Sequence, residues 1–237
     1  MAAPLLDRQP QSFSDEERTA VRDLAIALGR LGDVCRERED PCCLEAYDEA
    51  IQLYRYIGDQ GGEAARCFNL GHAYKNISAI RDLEKAESWY RRSLALRPAR
   101  DNLSRAQCLA QLGALAYRRL EEVRRSGLSG GAFDAQFATA IDFYQQALAA
   151  TPPEAMDGIA GIHNQLGAVY SHSASHLDLA VEHLLEAIRC YEVIGDRYMA
   201  GAVRNNIAGA LLNARRFADA REYALSAINI LETYPAR

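Results

Sequence analysis

The sequence predicts an all-α fold, a solenoid of about five antiparallel helix pairs stacked in chain order. Three observations carry this. A pattern of small and large residues recurs with a period near 40: Ala140, Ala180 and Ala220 are each 40 residues apart, and Gly71 and Gly113 are 42 apart. Between the recurrences apolar residues fall at helical spacing, while Ala, Leu, Arg and Glu dominate and only seven prolines occur. The stop signals lie between the copies: Pro98, Pro152-Pro153, and the linkers YRYIGD (54–59) and YEVIGD (191–196).

Taken in order, residues 1–13 are expected to be a flexible N-terminal segment. A helix should begin after Ser14, an N-cap followed by Asp15, Glu16 and Glu17, whose charges suit the positive end of a helix. Val21, Leu24, Ala25, Leu28, Leu31 and Val34 form its expected inward stripe, and it should end by Arg38, before Asp40-Pro41. Its partner covers 42–57, with Cys43, Tyr47, Ala50, Ile51 and Tyr54 inward. This first pair, 14–57, is a divergent copy or an N-terminal cap.

The pair at 62–97 is the clearest copy. Small Gly71 and Ala86 should let its two helices approach closely, with Tyr74 and Tyr90 filling the space beside them. Leu70-Gly71 recurs as Leu112-Gly113, Leu166-Gly167 and, more weakly, Ile207-Ala208. Ala86-Tyr90-Ser93 recurs as Ala140-Tyr144-Ala147, Ala180-Leu184-Ala187 and Ala220-Ala224-Ala227. The third pair, 101–150, carries an insertion at about 121–136, because Gly113 and Ala140 are 27 residues apart against 15 for Gly71 and Ala86. Glu121 to Arg125 should extend the helix, and Ser126 to Gly131 should form a glycine-rich turn. That insertion is either a tolerated lengthening or a partner-contacting or regulatory loop. It lacks the GxxxxGK[ST] pattern of a phosphate loop. The fourth and fifth pairs span 154–194 and 196–233. The last helix is apolar on more than one side, at Ile228, Ile230, Leu231 and Tyr234, which points to self-association, to a fragment of a longer chain, or simply to an ordinary frayed terminus.

These motifs resemble the tetratricopeptide repeat (TPR) proteins, in the longer-period branch that holds the LGN/Pins adaptors and kinesin light chains. The resemblance covers roughly residues 40 to 233, and Glu63-Ala64-Ala65-Arg66 leading to Asn69-Leu70-Gly71 is the part most similar to the LGN type. The chain departs from the family near Cys67, Leu109, His163 and Arg204, where an aromatic residue is common. The resemblance implies a right-handed superhelix. In that branch, asparagines at the position of Asn69 contact extended peptides.

A stack of helix pairs has an inner concave face lined by the first helix of each pair. The residue before each Leu-Gly pair, or its counterpart, is a primary amide: Asn69, Gln111, Gln165 and Asn206. An amide both donates and accepts, so such a row suits the backbone of an extended peptide. The same amides are also simply common family residues. Phe68, Asn164 and Asn205 precede them by one residue; His72, Lys75 and Asn76 lie a turn later in the second pair. With Arg66 and Arg204, the cations His72 and Lys75 would favour acidic groups on the peptide, although each taken singly is an ordinary surface charge. A full carboxylate clamp is not recovered.

No catalytic constellation is found, and neither a cofactor nor a metal is expected. His172 and His176 are four residues apart, but Ser171 to Ser175 reads as a turn and breaks the helical face. The six cysteines show no CxxC spacing and read as small buried packing residues in a reducing compartment. The net charge of −5 disfavours nucleic acid as a partner. No 18-residue apolar run is present, so no membrane insertion is expected, and the first residues lack the pattern of a signal peptide. The expected function is therefore a cytoplasmic, non-catalytic adaptor that binds an extended peptide or helix of a partner protein. The alternative is a regulatory or assembly array, part of a larger signalling complex or self-associating near Ile228, Ile230 and Leu231.

Overall fold

The computed structural model describes residues 14–127 and 130–233. The expectation for residues 1–13, and those for Tyr234 and Pro235, lie outside them. The fold is all-α. Its helices are α1 (Asp15–Glu37), α2 (Cys43–Tyr56), α3 (Gln60–Asn76), α4 (Leu83–Leu96), α5 (Asn102–Arg125), α6 (Gly131–Ala150), α7 (Met156–Tyr170), α8 (Leu177–Val193), α9 (Arg197–Asn213) and α10 (Phe217–Leu231). The chain forms two compact units, divided inside α5 between Leu115 and Ala116.

Helix ends are set by side chains that the sequence makes visible. Ser14 and Glu17 form a reciprocal capping box at α1. Asp59, Asp82 and Asp196 accept from Gly62, Lys85 and Met199 N–H at the starts of α3, α4 and α9, each at 2.9 Å. The repeated IGD linker has a physical reason. Gly58 and Gly195 adopt φ of 74° and 79°, which lets Asp59 and Asp196 N–H reach back to the Tyr54 and Tyr191 carbonyls at 2.8 Å. Glycine ends one helix and the next residue, aspartate, caps the following one.

In the first unit the helices meet through glycines. A Cβ on Gly71 would lie 2.6 Å from the Tyr90 ring, and one on Gly32 would lie 2.6 Å from Tyr47. These tyrosines are fully buried. The cluster of Tyr47, Ile51, Cys67, Leu70, Ala73 and Ile77 is completed by Tyr74 and Trp89 at its edge. Buried Ser93 donates to the Ala64 carbonyl at 2.8 Å, a tie available only to a hydroxyl at that position. Glu63, also buried, accepts from Arg55 of α2 at 3.1 Å and from Arg92 of α4, so one carboxylate joins three helices.

Two expectations change. In α1, Leu31 and Val34 are 53% and 47% exposed, and the buried face runs through Val21, Ala25, Gly29, Gly32 and Cys35. Close approach of Tyr47 to Gly32 and of Arg66 to Gly29 turns the small residues inward and the larger ones out. Cys35 and Cys42 are disulfide-bonded, so the six cysteines are not all thiols; Cys43, Cys67, Cys108 and Cys190 are the buried free ones. In the 121–136 stretch, Glu121 to Arg125 extend α5 to 24 residues, as expected, and α6 opens at Gly131 and runs for 20; Gly127 and Gly130 have φ of 72° and 90°.

In the second unit, α6 to α10 pack in sequence order, and α7 to α10 close around Leu184, Tyr191, Val203, Ile207 and Leu211. Gly167 receives Leu184, as Gly71 receives Tyr90 in the first unit. Phe137, on the added turns of α6, sits edge-on to Tyr170 and beside His176. The lengthened helix is thus used in packing within the unit. Gly201 is where Ile230 and Leu231 of α10 seat, so these two face inward, not outward. The exposed large apolar residues of α10 are Phe217, Leu225 and Ile228. No described helix is long and apolar enough to cross a membrane.

Candidate interaction surface on the first helices

The four amides stand on α3, α5, α7 and α9, and each is already engaged inside the chain. In the first unit, Asn69 donates to Asp33 Oδ1 of α1 at 2.7 Å. The same Asp33 carboxylate accepts from Tyr47 Oη at 2.7 Å and from Arg66 at 3.2 Å. Gln111 Oε1 accepts from Lys75 Nζ. In the second unit, Asn206 donates to Asn164 Oδ1 at 2.9 Å, and Gln165 Oε1 accepts from Tyr144 Oη at 3.4 Å. Three of the four bonds join the first helix of one pair to the first helix of the next.

The flanking residues divide sharply. Phe68, His72 and Tyr90 form a closed ring cluster, with Phe68 and His72 edge-to-face at 4.6 Å and Tyr90 at 5.5 Å from both. Burial, assisted by nearby Lys75 and Arg36, lowers the His72 pKa to about 4. His72 is therefore neutral at neutral pH and supplies no cation to an acidic peptide. Lys75 is half-buried and bonded to Gln111. Arg66 is paired with Asp33, and Arg204 with Glu192 at 2.6 Å. Of the four expected cations, Arg66 and Arg204 are thus held in internal ion pairs and Lys75 by a neutral amide. Asn76, at the end of α3, and Asn205, on α9, are exposed.

The amide patch in the second unit keeps the most capacity. Asn205 and Asn206 are exposed and Asn164 is half-buried. Their mutual bond uses one N–H of Asn206 and Oδ1 of Asn164, which leaves Asn206 Oδ1 and Asn164 Nδ2 for another molecule.

The histidines do not form one site. His172 Nε2 meets Tyr117 Oη at 3.0 Å, while His176 Nδ1 meets Ser173 Oγ at 2.9 Å. His163 and His183 share a hydrogen bond between their Nδ1 atoms at 2.9 Å, and burial lowers both pKa values. Among the described residues, one group brings three potential metal-ligating atoms within 4.8 Å: Cys35, Asp40 and Cys42, with its two sulfurs already bonded to each other. Sequence reasoning missed this pair and the Asp33 hub. The signal for the pair was its placement on either side of the Asp40-Pro41 break, where an antiparallel turn brings helix ends together.

No family model matches the chain, and no curated protein matches it. Among solved structures it is similar to BtubC (BKLC) from P. vanneervenii, with 19% identity, a TM-score of 0.71, and coverage of 98% of this chain and 95% of that one. At this identity the likeness shows a shared all-helical fold along nearly the full length of both chains.

Proposed function

We propose that this chain is a non-catalytic protein-interaction adaptor of the TPR type, and that it binds an extended segment of a partner protein across the exposed amides of α7 and α9. The observation that carries this reading is the Asn164–Asn206 bond. It orients two amides toward a common surface while each keeps a hydrogen-bonding group for a ligand backbone. Amides already held by a neighbour lose less side-chain entropy on binding. In the first unit, Asn69 and Gln111 act mainly as pins between neighbouring helices. The test is a pull-down from native cell extract, wild type against Asn164→Ala, Asn205→Ala, Asn206→Ala combined, with helicity confirmed by circular dichroism. A partner held by the wild type and lost from the folded variant is expected; a partner held equally by both refutes the amide site.

A second reading has its own observation. Phe217, Leu225 and Ile228 are 63%, 46% and 47% exposed on α10, which suits an assembly contact with another protein or copy. A monomeric mass at high protein concentration would count against self-association.

A further inference from the structure

Six cysteines divide into four that are buried thiols and two that are bonded, and the bonded pair is set for chemistry. Cys42 is exposed and immediately precedes α2; Cys35, in the last turn of α1, is 8% exposed. Their Cα atoms are 6.1 Å apart, within the span that a disulfide needs without backbone movement. The other four are shielded: Cys43, Cys67 and Cys108 are 0% exposed and Cys190 is 9% exposed. Burial also pushes the Cys67 thiol up to about 11 and raises those of Cys43 and Cys190, which suppresses their thiolates.

The turn between the two cysteines is held independently of the sulfur bond. Asp40 N–H donates to the Cys35 carbonyl at 2.8 Å, Cys42 N–H donates to Asp40 Oδ1 at 2.9 Å, and Cys43 N–H donates to the Asp40 carbonyl at 3.2 Å. Reduction therefore leaves the two sulfurs close and able to re-form the bond. Two residues before Cys35 lies Asp33, whose carboxylate receives Tyr47, Arg66 and Asn69. The bridge and this polar hub share the last turns of α1.

We infer that Cys35 and Cys42 are a reversible thiol–disulfide site, which exchanges with low-molecular-weight thiols and disulfides and sets how firmly the end of α1 is held. In the oxidising direction the Cys42 thiolate attacks one sulfur of a disulfide RSSR, forming a mixed disulfide and releasing RS⁻. The Cys35 thiol, losing its proton to solvent, then attacks the Cys42 sulfur, and the second RS⁻ leaves. Two protein thiols lose two electrons, and one RSSR becomes two thiols. Two RSH reverse the sequence. This site belongs to the first unit, whereas the amides proposed above belong to the second.

The test uses the full chain equilibrated in oxidised or reduced glutathione, trapped with N-ethylmaleimide and digested with trypsin. Oxidising buffer should give a bridge between the peptides covering 31–36 and 39–55, and reducing buffer should release it. Cys42→Ser should abolish the bridge and Cys43→Ser should keep it, which separates the neighbouring cysteines. Amide hydrogen exchange in the last turn of α1 should quicken at least about tenfold on reduction, since a short-loop disulfide contributes more than one decade in an opening constant. A bridge that persists in Cys42→Ser, a pair that does not respond to glutathione, or exchange unchanged between the two states would each overturn the inference.

Discussion

The same substitution, glycine to alanine, should have opposite effects at Gly71 and Gly209. Both lie inside helices, where alanine is favoured over glycine by about 1 kcal/mol. At Gly209, exposed on α9, nothing lies within 4 Å of the added Cβ, so the full propensity gain of about 0.5–1 kcal/mol should appear as stabilisation. At Gly71 the Cβ would stand 2.6 and 2.7 Å from two carbons of the Tyr90 ring. That ring is 0% exposed and packs against Phe68 and His72, so it has no open side to move into. Overpacking of this kind costs about 1–3 kcal/mol, which outweighs the propensity gain at all but its lower end. Gly71→Ala should thus destabilise by about 1–2 kcal/mol net. Urea unfolding followed by circular dichroism measures both. In a Tyr90→Ala background the obstacle is gone, and Gly71→Ala should turn mildly stabilising. Equal signs at the two glycines, or no reversal in that background, would refute the close-approach account.

Other perturbations follow from single contacts. His72 titrates near 6.5 when unfolded but about 4 when folded, so between those values the unfolded chain binds the extra proton and acid favours unfolding. Stability present above pH 6.5 should decline by roughly 2 kcal/mol by pH 5, and His72→Asn should flatten that slope in urea midpoints measured across the range. Arg215 holds φ of 60° at the end of α9 and its successor's N–H bonds to the Leu211 carbonyl, the geometry glycine prefers. Arg215→Gly should raise stability by about 0.5–1 kcal/mol, seen as a higher melting temperature; a lower one would contradict the reading. Glu63→Gln should cost about 1–3 kcal/mol, because a buried carboxylate that receives both Arg55 and Arg92 loses its charge while both guanidiniums can turn to water. A variant as stable as wild type would show that Glu63 contributes nothing as a tie.

Helix order and helix ends were legible because local rules set them. The 40-residue recurrence, the IGD linkers and the aspartate caps act over a few residues, so spacing alone exposes them. Which face of a helix is buried was less legible wherever glycine replaces bulk. In α1 the leucine and valine at 31 and 34 outweigh Gly29, Gly32 and Cys35 in any apolar count, yet a close crossing buries the small residues. The amide row was found as a pattern, but whether an amide faces a ligand or a neighbouring helix depends on atoms more than 20 residues away in sequence, as with Asp33 and Asn69 or Asn164 and Asn206. What His72, Arg66 and Arg204 offer is hidden in the sequence for the same reason: burial and partners, not residue type, fix it. Sequence by itself determined the all-helical repeat and its punctuation, which arise from backbone preferences and short-range caps. Tertiary structure decided which polar groups remain for a partner and which cysteines meet, because both depend on side chains brought together only when the helices pack.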